Sequence, residues 1–262
     1  MNNSEKPVLN IVKIGGRLIE EEQLLQGFLS DFSKMEGLKV LVHGGGILAT
    51  QLSEKLGFPT TMLNGRRITD ENALKVIVMT YAGLLNKNLV AGLLANGCRA
   101  MGLCGADGGS IISVKRPETP VNYGFVGDVE EVDDKFITSL LQQEIIPVYS
   151  AITCTSEGQL LNTNADSIAT EIAKAMAREY KVNLYFCMEK KGVLLNVNDD
   201  ASVIQDLDSE RYAALLAEGK ITDGMLPKLH NCFQALDNEV SAIYLGDSSL
   251  IRNSTTGTKI TK

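Results

Sequence analysis

The sequence predicts an α/β protein built on a mainly parallel sheet, and three observations carry that prediction. Short β-branched runs alternate with longer stretches whose apolar residues recur every three or four positions, the order of strands joined by helical crossovers. Two early strand-to-helix junctions are glycine-rich, Gly15-Gly16 and Gly44-Gly45-Gly46, and in open α/β sheets ligands bind at that edge. The chain has 262 residues, 44% hydrophobic and 22% charged, which suits one large domain or two lobes sharing a cleft.

Residues 8–14 (VLNIVKI) read as a strand, and the helix that follows places Leu24, Leu25, Phe28, Leu29 and Phe32 on one face. Residues 39–43 (KVLVH) form a second strand that runs into Gly44. A long helical pattern covers 70–96, with Thr69 as its N-cap and Gly97 as its stop. Residues 99–102 read as a strand. Gly, Asp and Pro are frequent over 103–131, and short β runs at 111–114 and 121–126 predict a hairpin excursion from the main sheet. Parallel order resumes with a strand at 145–149, a helix at 165–178 and a strand at 182–187. Helices at 209–218 and 225–237, the second capped by Thr222 or Asp223, and a strand at 241–245 complete the pattern. No linker, low-complexity tract or fixed-period repeat interrupts it.

Composition removes several function classes. With 25 Lys+Arg against 32 Asp+Glu the formal charge is −7, so a nucleic-acid footprint, which needs clustered positive charge, is not expected. Cys98, Cys104, Cys154, Cys187 and Cys232 are odd in number and contain no C-x-x-C pair, which argues for small buried thiols in a reducing cytoplasm rather than disulfides or zinc. No run of about eighteen uninterrupted apolar residues suggests a membrane span, and residues 1–7 carry no signal-peptide core. His43 and His230 are the only histidines, thin material for a Ser-His-Asp triad or a histidine metal cluster.

Chemistry concentrates at five places. Both glycine turns can face an anion with backbone N–H groups and a helix N-terminus, although tight turns alone also use glycine. Neither matches G-x-G-x-x-G or G-x-x-x-x-G-K-[ST]. Lys13 interrupts an apolar strand just before its glycines, where a lysine aimed at phosphate is natural. Lys228 falls in the first turns of a helix, a position that an exposed lysine takes equally often. Asn162, Asn164 and Asp166 alternate through GQLLNTNADSIA, fitting either turn and cap chemistry or a polar cluster around a substrate. Arg66 and Arg67 precede a helix and suit a carboxylate held by a forked pair of hydrogen bonds. His43 abuts the glycines and is read as packing or bonding to backbone rather than moving protons.

In order, IVKIGG at 11–16, LVHGGG at 41–46, NGRRIT at 64–69, GQLLNTNAD at 158–166 and ITDGMLPKL at 221–229 resemble the amino acid kinase family over nearly the whole chain. NGRRIT and GQLLNTNAD resemble its branch acting on N-acylated glutamate. The resemblance implies an αβα sandwich in one domain, with residues up to about 178 holding the acylated amino acid and residues from about 179 to 262 holding ATP. It implies that Lys13 and Lys228 flank the transferring phosphoryl group and that Asp166 holds both lysines in place. Gly15, Gly16, Gly44 and Gly45 would donate N–H groups to phosphates and substrate. Arg67, Asn162 and Asn164 would bind the substrate, and Asp223, Gly224 and Met225 would border the nucleotide. Mg2+ would ride on ATP phosphates and water, so no protein metal ligand is named.

The expected reaction is transfer to the side-chain carboxylate of N-acetyl-L-glutamate, a step of arginine biosynthesis. N-succinyl-L-glutamate is the competing acceptor, and a non-catalytic sensor of the same fold the competing class. One departure stands out: where the family usually has a Ser/Thr-Asp-Val-x-Gly run, this chain reads Met188-Glu189-Lys190-Lys191-Gly192, with the two lysines read as a solvated loop. The resemblance also implies a homodimer, and with only seven residues before Val8 the expectation is insensitivity to arginine.

Overall fold

The computed structural model describes residues 6–63, 65–196, 198–221 and 225–262, the side chain of Pro227 excepted. The first strand, β1 (Val8–Ile14), sits at the middle of the molecule. It pairs in parallel with a strand on each side and is covered on both faces, which is why its sequence is an almost unbroken apolar run. Asn10, one of two polar residues in it, the other being Lys13, is satisfied inside the sheet: it donates to the Glu36 carbonyl at 2.8 Å and accepts from Asn183 at 3.1 Å.

From β1 the chain passes through α1 (Arg17–Glu20), α2 (Glu22–Lys34), β2 (Leu38–His43) and α3 (Gly46–Lys55). A short hairpin, β3 (Met62–Leu63) and β4 (Arg66–Arg67), then leads to α4 (Glu71–Val78), a π-helical segment at Met79–Leu85 and α5 (Asn86–Ala95). Next come β5 (Ala100–Leu103), β6 (Ile111–Lys115), β7 (Val126–Val132), α6 (Asp134–Gln142), β8 (Ile146–Ser150), β9 (Ile152–Cys154) and β10 (Leu160–Thr163). The last part holds α7 (Ala165–Met176), β11 (Lys181–Cys187), β12 (Asp206–Leu207), α8 (Ser209–Ala217), α9 (Leu226–Asp237), β13 (Ala242–Gly246) and β14 (Thr258–Ile260).

Eight strands form one sheet in the order β12-β14-β13-β11-β1-β2-β8-β5, parallel except where β13 meets β14. α2 and α5 pack together on one face, and α6, α7 and α9 cover the other, giving the layered α/β architecture expected. Strands β6, β7, β9 and β10 close into a small separate barrel beside the sheet.

Several expectations need correction. Leu24 is 44% exposed, because α2 turns only Phe28, Leu29 and Phe32 fully into the core. Asp70, not Thr69, caps α4: its carboxylate accepts from the Ala73 N–H at 2.8 Å. Thr69 is instead extended and fully buried, exchanging backbone bonds with Tyr123 and Phe125. Gly97 does end the long helix, with φ 78°. The second hairpin strand is Val126–Val132 rather than 121–126. Thr222 and Asp223 lie outside the described residues, and Met225 holds the N-cap position of α9. The five cysteines are free thiols, and burial pushes Cys187 and Cys232 each up to about 12.

Among the described residues one helix, Glu71–Ala95, is long and apolar enough to cross a membrane by length and composition. Its inner face belongs to the core through Leu74, Ile77, Tyr81, Leu85, Leu89 and Leu93. Its outer face leaves Met79, Leu84 and Leu94 exposed.

Candidate active site

Because β1 and β2 are parallel neighbours in register, Ile14 beside His43, their two glycine turns emerge side by side at the same sheet edge. Lys13 bends toward this edge with 19% of its side chain exposed. Gly15 makes the bend possible, since a Cβ there would lie 3.2 Å from Lys13 Nζ. Gly16 has φ 58° and ψ −142°, a conformation open essentially to glycine alone.

β10 delivers the polar cluster to the same place. Asn164 caps α7, its side chain accepting from the N–H groups of Asp166 and Ser167 at 2.7 and 3.2 Å. Asp166 therefore stands in the first helical turn, where the helix dipole favours negative charge. Its Oδ1 is 2.8 Å from Lys13 Nζ and its Oδ2 is 2.6 Å from Lys228 Nζ. Lys228, on the first turn of α9, also lies over the Phe186 ring at 4.7 Å. Burial alone would raise the Asp166 pKa, but the two lysines outweigh it and hold the carboxyl well below the usual carboxylate range. One carboxylate thus gathers two cations from opposite ends of the sequence.

A cavity of about 290 Å3 opens in front of this group, and its wall includes Lys13, both glycine turns, Arg67, Asn162 and Asn164. Arg67 is buried and partly committed: Nη1 donates to Thr60 Oγ1 at 2.9 Å, and Nη2 to the Gly46 carbonyl and Thr50 Oγ1, each at 2.8 Å. Of the five guanidinium N–H donors, Nε and one hydrogen on Nη1 remain. Asn162 donates to Thr69 Oγ1 at 3.0 Å, which fixes its amide at the cavity wall. Asn164 reaches the wall as well, while serving the cap that turn chemistry predicts. Asp223 and Gly224 lie outside the described residues, and Met225 is half-buried beside α9. A larger recess of about 620 Å3 lies elsewhere, along β7 and the ends of α7 and α9, away from both lysines.

Among the cavity residues that sequence reasoning did not reach are two with large polar side chains. Tyr81 and Arg116 carry no local signal, because one comes from mid-helix and the other from the hairpin excursion. Arg116 is held by Asp128, with Nε donating to Oδ2 at 3.0 Å and Nη2 to Oδ1. Past β11, Met188 N–H donates to the Gly246 carbonyl at 2.7 Å. Gly192 and Val193 are buried against Thr258, and Lys190 points outward near Asp200.

Two cations converging on one carboxylate, beside backbone N–H groups at two glycine turns, make a site for anionic oxygens. The profile of the amino acid kinase family matches residues 9–247. The chain belongs to the amino acid kinase family. An acetylglutamate kinase from Phocaeicola vulgatus is 51% identical over 257 residues, 98% of this chain and 100% of that protein. Among solved structures, smu.665 from Streptococcus mutans UA159 superposes with a TM-score of 0.77 at 28% identity, covering 97% of this chain and 98% of its own. N-acetylglutamate synthase from Neisseria gonorrhoeae, solved with coenzyme A and N-acetyl-glutamate, gives a TM-score of 0.80 at 18% identity, covering 98% of this chain and 60% of its own. At that identity the second likeness speaks to the fold alone.

Proposed function

We propose that the protein transfers the γ-phosphoryl group of ATP to the side-chain carboxylate of N-acetyl-L-glutamate, forming N-acetyl-L-glutamyl 5-phosphate for arginine biosynthesis. The name of the P. vulgatus relative supports the acceptor. The observation that carries the chemistry is the Lys13–Asp166–Lys228 bridge. It holds two ammonium groups already ordered, and one of them, Lys13, stands in the wall of a cavity furnished with N–H donors.

A carboxylate is a nucleophile at neutral pH, so this transfer needs no general base. Positioning and charge neutralisation supply the rate enhancement. In this reading Lys13 and Lys228 stabilise charge on the moving phosphoryl group, and Asp166 keeps them apart and aimed. The glycine turns donate N–H groups to phosphate and acceptor oxygens. Arg67 and Asn162 hold the α-carboxylate side of the substrate. The lysines fit the phosphates of ATP, and Mg2+ bound to those phosphates would supply further charge neutralisation while drawing its ligands from phosphate and water oxygens. Residues up to about 178 hold the acceptor, and those from 179 to 262 hold the nucleotide.

One observation favours a second acceptor. Arg66 also lines the cavity, a positive charge beyond the Arg67 assigned to the α-carboxylate, and N-succinyl-L-glutamate carries a further carboxylate. We also propose a homodimer, because Met79, Leu84 and Leu94 on the long helix and Met101 on edge strand β5 are exposed apolar side chains. The experiment is ADP release with MgATP and each acylglutamate, with hydroxylamine trapping the acyl phosphate. Hydroxamate from N-acetyl-L-glutamate supports the reading, a strong preference for the succinyl compound moves it to the second acceptor, and nucleotide binding without hydroxamate refutes transfer. Light scattering at micromolar protein tests the dimer.

A further inference from the structure

His43 is fully buried at the end of β2, directly before the second glycine turn. Its ring sits between two partners. Nδ1 lies 2.8 Å from the Gly44 carbonyl oxygen, and Nε2 lies 3.1 Å from Asn86 Nδ2. The protons follow from the outer bonds of the chain. Asn86 Oδ1 accepts from Lys87 at 3.1 Å, and Asn86 Nδ2 donates to the Val148 carbonyl at 2.8 Å, so the Asn86 amide nitrogen is a donor toward His43 as well. Nε2 must therefore be bare, and the ring proton is on Nδ1, donated to Gly44. Burial, aided by the Lys87 charge and opposed by the Gly44 bond, pushes the pKa of His43 down to about 4, so the ring is neutral at physiological pH.

The consequence falls on the next peptide unit. The Gly44–Gly45 bond is trans, so its C=O and N–H point in opposite directions. With the carbonyl turned in toward His43, the Gly45 N–H is turned away from the core, toward the cavity that Gly44, Gly45 and Gly46 line. That N–H donates to no acceptor among the described residues. Gly45 itself is gripped from the side, since Tyr81 and Leu85 of the π-helical segment approach so closely that no Cβ fits.

We infer that His43 and Asn86 are positioning residues for phosphoryl transfer, locking the Gly44–Gly45 peptide so that the Gly45 N–H is presented to the anionic oxygens of the reacting groups. Neither side chain touches substrate. They act through the backbone, replacing the reorganisation that a free glycine turn would undergo during the reaction with a donor fixed in advance. The inference rests on the proposed acylglutamate phosphorylation for its kinetic meaning.

The test combines tautomer and turnover. With His43 and His230 the only histidines, 15N-histidine labelling gives two assignable rings. The expected His43 signal is the neutral Nδ1–H tautomer, unchanged between pH 5 and 8. A ring protonated on Nε2 would overturn the inference. In kinetics, His43→Leu keeps bulk but loses the donor, and its kcat should drop at least about tenfold with the ATP dissociation constant within about twofold, as for an impaired oxyanion-type donor. His43→Asn, whose amide nitrogen stands where Nδ1 stood, should recover most of that loss, whereas His43→Gln, with its amide one carbon further out, should not. Equal rates for the Asn and Gln variants would overturn the inference, as would a folded Leu variant with wild-type kcat. If the Leu variant does not fold, the Asn and Gln pair decides. Wild-type turnover tests the reaction separately. Should it be absent with every acylglutamate, the reaction fails as a reading, and the tautomer alone decides the part played by His43.

Discussion

Asn in place of Asp166 keeps the shape of the bridge and deletes its charge, leaving two ammonium groups facing a neutral amide. Each lysine is within 2.8 Å of a carboxylate oxygen, and the three side chains are 19%, 24% and 29% exposed. At an effective dielectric constant near 20 the attraction per pair is about 6 kcal/mol, most of it offset by desolvation. Removing one partner of a buried pair costs about 3–5 kcal/mol, and partial exposure puts this site at the lower end, about 3 kcal/mol. For a chain of this size that corresponds to a melting temperature lower by roughly 6–12 °C. The pH dependence has a definite sign. The folded pKa of Asp166 is depressed, so its contribution is complete above the ordinary aspartate value of about 3.9 and is lost only as pH falls toward the folded pKa. Melting of Asp166→Asn and wild type at pH 7 and at pH 3 checks this, with the larger gap expected at pH 7. The same variant should lose at least about a hundredfold in kcat as the lysines lose their common anchor. An Asn variant as stable as wild type at pH 7, or a gap that widens at pH 3, would refute the reasoning.

Lys13→Ala and Lys228→Ala should each lower kcat by at least about a hundredfold with much smaller changes in substrate dissociation constants, because they stabilise charge that develops in transfer; steady-state kinetics with direct binding measurements separate the two. Arg67→Ala should weaken acylglutamate binding by about 2–5 kcal/mol with ATP binding near normal, and calorimetric titration of both ligands reveals whether the loss is selective or a general collapse. Gly45→Ala should lower stability by about 1–3 kcal/mol and abolish most turnover, since the new methyl meets Leu85 and the Tyr81 ring at φ 159°; urea denaturation beside the hydroxylamine assay reads both.

The parts of this fold that were legible share one physical trait, a pattern set by local burial. β1 and β11 lie inside the sheet and read as apolar runs, and α7 shows Ile168, Ile172 and Met176 at helical spacing behind an Asn cap. α3 is legible only as the helix that the second glycine turn leads into, without bounds, because it buries only Ala49 and Ser53 and so has almost no stripe. α6 was overlooked despite a usable signal: Asp133 caps it, and Ile137, Leu140 and Leu141 follow on one face. Within the site, Lys13 stands out in sequence as a lysine in an apolar strand before glycines and Asp166 as the end of an Asn/Asp alternation, whereas Lys228 reads equally well as a surface lysine and the joint role of the three comes from the family resemblance. Their meeting is a tertiary event spanning residues 13 to 228, which no window of sequence contains. The His43–Asn86 contact is hidden for the same reason, joining positions 43 residues apart.

The π-helical turn at Met79–Leu85 acts as a phase shifter inside an otherwise regular rod. Before it, the core stripe runs through Leu74 and Ile77; it passes through Tyr81 and Leu85 inside the segment and continues at Leu89 and Leu93, four residues at a time from Ile77 on. A plain α-helix advancing about 100° per residue would drift off the core along such a stripe, and widening one turn resets it. Deleting a single residue between 79 and 85 would let this turn close to ordinary α-helix, whose faster advance of about 100° per residue makes up for the lost residue and leaves the second half near its present phase. Asn86 would keep facing His43, and Leu89 and Leu93 would stay in the core together. Such a deletion should hurt far less than the loss of one residue from α4, which would turn everything after it by about 100°, a tolerance set by helical phase rather than by the identity of any side chain.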